Sequence, residues 1–300
     1  QGVDLVVVDL RGNGGGLLQE AVTLSGLFID TGPVVQVKEA SGTRHHDDED
    51  AGTAWDGPMA VLIDHTSASA SEIFAGVIKD YGRGLIIGDD HTYGKGTVQS
   101  IIKLNEQLAM RGGKSLPDLG ALKLTIQQFY RANGESTQLD GVKSDIHIPS
   151  FLDEQDIGEG NSDTALKSDK IAPLPHDNYG RVPRDLVATL TKRSEQRRQQ
   201  DPKFKEQSAA LERFAARKKK HEISLNEDKF KAETSASEND DEDGKPRDKT
   251  HKRHAERPAW ESNFYNDEVM RILADYVQLG GKLLTAGPVH PGDQPRSALP

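Results

Sequence analysis

The stretch HTSASASEIFAGVIKDYGRG, His65–Gly84, sets three hydroxyls at a period of two, Ser67, Ser69 and Ser71, just before an apolar pattern of helical spacing. Ahead of it, Met59–Asp64 is an apolar run that reads as a strand. The order strand, tight turn, helix suits a nucleophile. A sharp turn after a strand exposes a hydroxyl at the end of a sheet, and the first helical amides point into the same space. The helix macrodipole adds partial positive charge there. Together these features would stabilise an oxyanion formed on a substrate carbonyl. The same serines also suit simple helix capping, with Ser71 at or near the N-cap and small alanines allowing close packing.

Two further clusters bear on that choice. GDDHTYGKGTVQS places Lys95 between Gly94 and Gly96, after one strand and before another. A surface lysine is ordinarily a solvated charge. In a dry site, desolvation disfavours the ammonium, and a neutral lysine can take a proton from a serine hydroxyl. Gln99 lies four residues on and shares a face with Lys95 in an extended strand, where its amide can hold the amine. Gly14, Gly15 and Gly16 of LRGNGGG end the first apolar strand, where α/β sheets place their sites. Glycines there let backbone amides approach a ligand closely. The loop is not a P-loop, because no Gly-Lys-Ser/Thr follows, and its spacing is wrong for a dinucleotide fingerprint.

These residues require a layered scaffold. Val3–Asp9 is a near-continuous apolar run, expected to be a central strand buried on both faces. Leu17–Ile29 carries helical spacing, Val34–Lys38 is a short strand, and the polar, acidic Ser41–Asp56 reads as an exposed loop. A short helix is expected over Ser71–Asp80, and strands over Leu85–Gly88, Thr97–Leu104 and Leu122–Tyr130. Alternating strands and helices imply an α/β core over residues 1–150. Residues 151–185, rich in Asp, Gly, Ser and Pro, read as a linker. Leu186–Arg217 is a charged helical stretch, broken near Asp201-Pro202, with Phe204, Gln207, Ala210, Leu211 and Phe214 on one face. Residues 231–258 form a mixed-charge insert too polar to order itself. Asn263–Leu284 is an amphipathic helix, completing a helical domain over 186–285, and 286–300 is a tail.

The formal net charge of -10 argues against non-specific nucleic-acid binding. No apolar run approaches the ~20 residues of a transmembrane helix. Cysteine is absent, which excludes disulfide and thiolate chemistry. The chain opens at Gln1 on what reads as a strand, so a fragment missing its N-terminal part is expected, and the lack of a signal peptide leaves the compartment open.

Four blocks in order, VVVDLRGNGGGLLQEAV, TSASASEIFAGVIKDYGRGLIIG, TYGKGTVQS and LKLTIQQFYRANGESTQLDGVKSDI, resemble the C-terminal processing, or tail-specific, serine proteases. DPKFKEQSAALERFAARKKKHEISLNE is similar to the helical C-terminal domain of the longer, Gram-negative type. The resemblance implies a crotonase/Clp-like layered α/β protease core followed by a mainly helical region. It implies Ser69 as nucleophile, Lys95 as general base, Gln99 as the group that orients it, and an oxyanion hole from the backbone amides of Ala70 and Gly15, with Gly14 or Gly16 as alternatives. It implies no cofactor and no metal. The implied substrates are proteins or peptides presented by apolar C-terminal tails, with an adaptor as a possible partner, in the periplasm or cell envelope.

The sequence departs from the family pattern in two ways. GDDHTYGK carries one residue more than usual between Gly88 and Lys95, which bulges the loop or displaces the lysine. The family's PDZ domain and N-terminal region are not in this chain. Three readings compete: a Ser-His-Asp triad using His65 or His91, a catalytically impaired scaffold or binding module, and a crotonase-like acyl-CoA enzyme. RHHDDED, Arg44–Asp50, is weighed as a metal site and read as a solvated acidic loop, because no ligand spacing is defined. The basic run Arg217–His221 reads as a helix end.

Overall fold

A computed structural model describes residues 2–109, 118–219, 225–229 and 260–281, together with 284, 288 and 290. The charged insert expected over 231–258 lies outside the described residues, as does nearly all of 286–300. The described residues form two four-stranded sheets. The first is parallel, in the order β1 (Val6–Asp9), β4 (Met59–Ile63), β5 (Leu85–Gly88), β8 (Ile146–His147). The second is antiparallel, in the order β3 (Gly42–Asp48), β2 (Gly32–Glu39), β7 (Ala121–Tyr130), β6 (Thr97–Lys103).

Between the sheets lie α1 (Leu18–Gly26) and α2 (Ala70–Asp80). Every residue from Ser71 to Ile78 is buried, which fits a helix covered on all sides. Ile73 and Val77 pack toward Val34, Val35, Val37 and Phe129 of the antiparallel sheet. Phe74, Ala75 and Ile78 pack toward Met59, Val61, Ile63 and Ile86 of the parallel sheet. The alternation of β4 then sends Ala60 and Leu62 to the opposite face. That face is covered by α4 (Arg184–Gln200), α5 (Pro202–Lys218) and α6 (Phe264–Gly280), through Leu186, Leu190, Phe204, Val269, Ile272, Leu273 and Tyr276. The break between α4 and α5 falls at Asp201-Pro202. Asp201 accepts from the Lys203 amide at 2.8 Å, and proline takes the first helical position, where no N–H is needed.

Two expectations change. Ser41–Asp56 is not simply a loop: Gly42–Asp48 is a strand, paired to β2 through a two-residue turn at Ala40-Ser41. It has no apolar side chain and its first four residues are exposed, so no apolar alternation announces it. An edge strand needs only its backbone to pair, and edge charge deters further pairing. β1 was expected to be central; among the described residues it is an edge strand that begins at Val6. Its apolar run has another cause. Val7 packs toward the C-terminal helices while Val6 and Val8 pack toward α1 and α2, so both faces are covered. A short helix, α3 (Leu104–Ala109), follows β6 directly.

Candidate active site

The three serines separate at the end of β4. Asp64 accepts from the amides of Thr66 and Ser67, both at 2.9 Å, and its other oxygen accepts from the Gly12 amide at 2.9 Å. One carboxylate thereby forms the turn and ties it to the glycine-rich loop. Ser67 donates to the Leu10 carbonyl at 2.8 Å, and Ser71 donates to the Asn13 carbonyl at 3.0 Å. The flanking hydroxyls are therefore fastened to that loop. Ser69 instead heads α2 with φ 58° and ψ -113°. A non-glycine residue with this backbone is held against a cost of about 1–3 kcal/mol. Glu72 supplies the restraint: in a capping box its carboxylate accepts from the Ser69 amide at 2.7 Å.

The amide of Ala70 stands at the first helical position, where no intrahelical acceptor is available. Gly15 packs directly on it. A Cβ at Gly15 would stand 2.5 Å from the Ala68 carbonyl oxygen and 2.8 Å from the Ala70 nitrogen, and its φ of +94° also favours glycine. Gly14 and Gly16 have open space at the same test. The Gly15 N–H donates to Asn13 Oδ1 at 2.9 Å. Asn13 therefore occupies that donor in this arrangement and must release it before an oxyanion can use it.

Lys95 reaches the site from β5 through a loop that Glu72 also holds. Glu72 Oε1 accepts from Thr92 Oγ1 at 2.6 Å and from the Gly94 amide at 2.7 Å. Oε2 accepts from the Ser69 amide and from the Lys95 amide at 3.0 Å. One fully buried carboxylate thus binds the backbone of both candidate catalytic residues. Burial pushes its carboxyl up to about 7, against the pull of its four donors. Thr92, Gly94 and Lys95 are thus all tied to Glu72. The Lys95 side chain is half-buried, and Nζ meets Gln99 Oε1 at 3.4 Å. No hydrogen bond joins Lys95 Nζ to Ser69 Oγ.

A cleft of about 470 Å³ beside the turn is lined by Ala68, Tyr93, Lys95, Thr97 and Gln99. A smaller hollow of about 170 Å³ opens against Gly15 and Ala70, walled by Leu10, Leu17, Leu24 and Phe74. A separate hollow of about 740 Å³ lies between α1 and the His45–Asp50 stretch and contains none of these residues. There His45 pairs with Asp47 along β3 at 2.7 Å. His65 and His91 pack edge to face with centroids 4.5 Å apart, and their ring nitrogens contact Asp153, Asp90 and the Thr92 carbonyl rather than Ser69.

Residues 1–148 match the family model for peptidase family S41, and residues 152–278 match that for the C-terminal domain of tail specific protease. The chain belongs to peptidase family S41. It is 44% identical over 236 residues to the tail-specific protease of Haemophilus influenzae, a match covering 78% of this chain and 33% of that protein. It is 35% identical over 190 residues to a carboxy-terminal-processing protease of Bartonella bacilliformis, covering 60% of this chain and 40% of that one. A solved photosystem II D1 C-terminal processing protease superposes with a TM-score of 0.40 at 30% identity, covering 49% of this chain and 35% of the other. The chain spans about a third of the length of the Haemophilus relative.

In this S41 chain the residues singled out from sequence converge: Ser69, Ala70 and Gly15 at the turn, Lys95 and Gln99 beside it. Sequence reasoning missed Glu72 and Asn13. Glu72 had a readable signal, since Ser69-x-x-Glu72 is a capping-box spacing. Nothing local announced that Thr92, Gly94 and Lys95 would arrive at the same carboxylate. No helix among the described residues is long and apolar enough to cross a membrane.

Proposed function

We propose that this chain carries the active site of a serine endopeptidase acting through a serine–lysine dyad. The observation that carries the reading is the shared acceptor: Glu72 Oε2 binds the amides of Ser69 and Lys95 together. Ser69 Oγ attacks the scissile carbonyl carbon while Lys95 Nζ takes its proton. The amides of Ala70 and Gly15 hold the developing oxyanion, Asn13 having turned away. Collapse of the tetrahedral intermediate breaks the C–N bond, and Lys95 returns the proton to the leaving amine. Water then attacks the acyl-enzyme ester and restores the Ser69 hydroxyl. Gln99 Oε1 holds the amine between these steps. Catalytic hydrogen bonds commonly tighten only with substrate bound, as the Ser69–Lys95 bond must here.

The small hollow walled by Leu10, Leu17, Leu24 and Phe74 suits a short apolar side chain next to the scissile bond. Substrates are proteins or peptides presented by apolar C-terminal tails, in the periplasm or cell envelope, with an adaptor as a candidate partner. The tail-specific and carboxy-terminal-processing character for which the two bacterial relatives are named supports the tail-processing class.

The test is cleavage of an unfolded protein ending in apolar residues by the protein carrying this chain. Ser69→Ala and Lys95→Ala should each abolish cleavage while leaving the thermal melt unchanged. Turnover persisting in Lys95→Ala would remove the lysine as base, and a histidine base would then have to be sought.

A further inference from the structure

The loops that follow β4 and β5 also meet at a second polar cluster. His65 is 4% exposed, and its Nδ1 has no hydrogen-bond partner. The ring's polar contacts therefore run through Nε2, on which two carboxylates converge: Asp153 Oδ1 at 2.8 Å and Asp90 Oδ1 at 3.2 Å. A single N–H proton cannot serve both at full strength. Asp90 Oδ1 in turn faces His91 Nε2 at 3.7 Å. His91 Nδ1 lies 2.6 Å from the Thr92 carbonyl oxygen, a contact that requires the N–H at Nδ1. In the neutral ring Nε2 is then unprotonated. An imidazole lone pair and a carboxylate oxygen, both acceptors, face each other with no proton between them.

We propose that His65, Asp90 and His91 bind a divalent cation of the zinc class. The three donor atoms lie within 4.8 Å of one another. Tetrahedral bonds of ~2.0–2.1 Å separate neighbouring donors by about 3.4 Å, between the 3.2 and 3.7 Å found on the two sides of Asp90. A ligand histidine characteristically donates its other N–H to a carbonyl or carboxylate, which fixes its tautomer, and His91 does so to Thr92. Two imidazoles with carboxylates suit Zn²⁺, whereas Mg²⁺ and Ca²⁺ take oxygen donors. Asp89, whose carboxylate accepts from the His65 amide at 3.0 Å, adds negative charge alongside.

The position gives the ion a role. His65 is four residues before Ser69, and His91 is four residues before Lys95. A cation here ties the same two loops that Glu72 ties, and so steadies the spacing of Ser69 and Lys95. That consequence rests on the proposed peptidase reading; binding itself does not.

Binding is tested with Zn²⁺ alone, by calorimetric titration and thermal melts of the protein carrying this chain above the histidine titration range. Co²⁺ serves as a visible-absorption reporter of tetrahedral geometry. Zn²⁺ should bind one to one, raise the melting temperature, and be weakened at least 10–100-fold in both Asp90→Asn and His91→Ala, since even outer-sphere losses at metal sites cost that much. Both side chains are at least partly exposed, so the metal-free melts should match wild type. A His45→Ala/His46→Ala double variant controls for the histidines of β3 and should bind as wild type does. Absence of Zn²⁺ binding to the wild type, binding unaffected by both site variants, or loss only in the β3 control would each overturn the proposal.

Discussion

The loops after β4 and β5 are joined by two polar clusters of contrasting completeness. At Glu72, two oxygens meet four donors, Thr92 Oγ1 and the amides of Ser69, Gly94 and Lys95, all within 3.0 Å. At His65, one nitrogen meets two carboxylates, its other nitrogen has no hydrogen-bond partner, and His91 Nε2 faces the same Asp90 oxygen at 3.7 Å. A satisfied buried network rigidifies its surroundings, and an unsatisfied one is costly until something fills it. The contrast separates two jobs. Glu72 fixes the geometry of Ser69 and Lys95 with no outside help, whereas the histidine–aspartate cluster has capacity for a ligand.

Removing the complete cluster should have the largest effect. Glu72→Ala leaves four donors without their acceptor in a buried place, where each orphaned group costs roughly 1–3 kcal/mol. It also frees two backbones whose spacing would set the proposed reaction, and a ~1 Å displacement costs about 10²-fold in rate. The expected result is destabilisation of at least ~3 kcal/mol in chemical denaturation and a fall of at least ~10²-fold in kcat where the variant is still folded. Near-wild-type kcat would mean that the two loops hold their spacing by other contacts and that the contrast is false.

A subtler break uses protonation. Burial raises the Glu72 carboxyl from 4.5 to about 7, so the folded state holds its proton more tightly than the unfolded chain does. The stability this contributes is fully present below about 4.5 and is lost as pH rises through about 7. Glu72→Gln cannot titrate. The unfolding free energy of wild type relative to Glu72→Gln should therefore fall by on the order of 3 kcal/mol across that window. Activity should run the other way. Only the ionised carboxylate can accept from all four donors, so wild-type kcat should rise through about 7, and this limb should vanish in the glutamine variant. A pH-independent difference in stability would show that the four donors hold the carboxylate ionised throughout.

The same contrast marks how far the sequence could be read. Ser69, Lys95, Gln99 and Gly15 stand in short local motifs whose residue types point to the proposed chemistry. Most strands and helices follow from apolar spacing, because periodicity reports which faces are buried. β3 escaped because an exposed edge strand has no buried face to report. Glu72 is missed because three of its four donors come from 20 to 23 residues away. The His65 cluster is equally hidden, because Asp153 lies 88 residues distant. Local spacing cannot announce which carboxylate a distant donor will meet, and both clusters are made of such meetings.

The smallest expected effect sharpens the contrast from the exposed side. Gln99 faces solvent from β6, and its bond to Lys95 Nζ is long at 3.4 Å. A hydrogen bond of that kind contributes about 1 kcal/mol at most, so Gln99→Ala should lower kcat roughly 5-fold. Because in the proposed dyad this side chain would act on the base and not on the substrate, KM should stay unchanged and the loss should fall on kcat alone. Gln99→Asn, one methylene shorter, should recover little, since the contact is already at the limit of reach. If Gln99→Ala instead matched Lys95→Ala, the lysine would depend on this exposed amide for its position, and the backbone tie at Glu72 would not be what places the base.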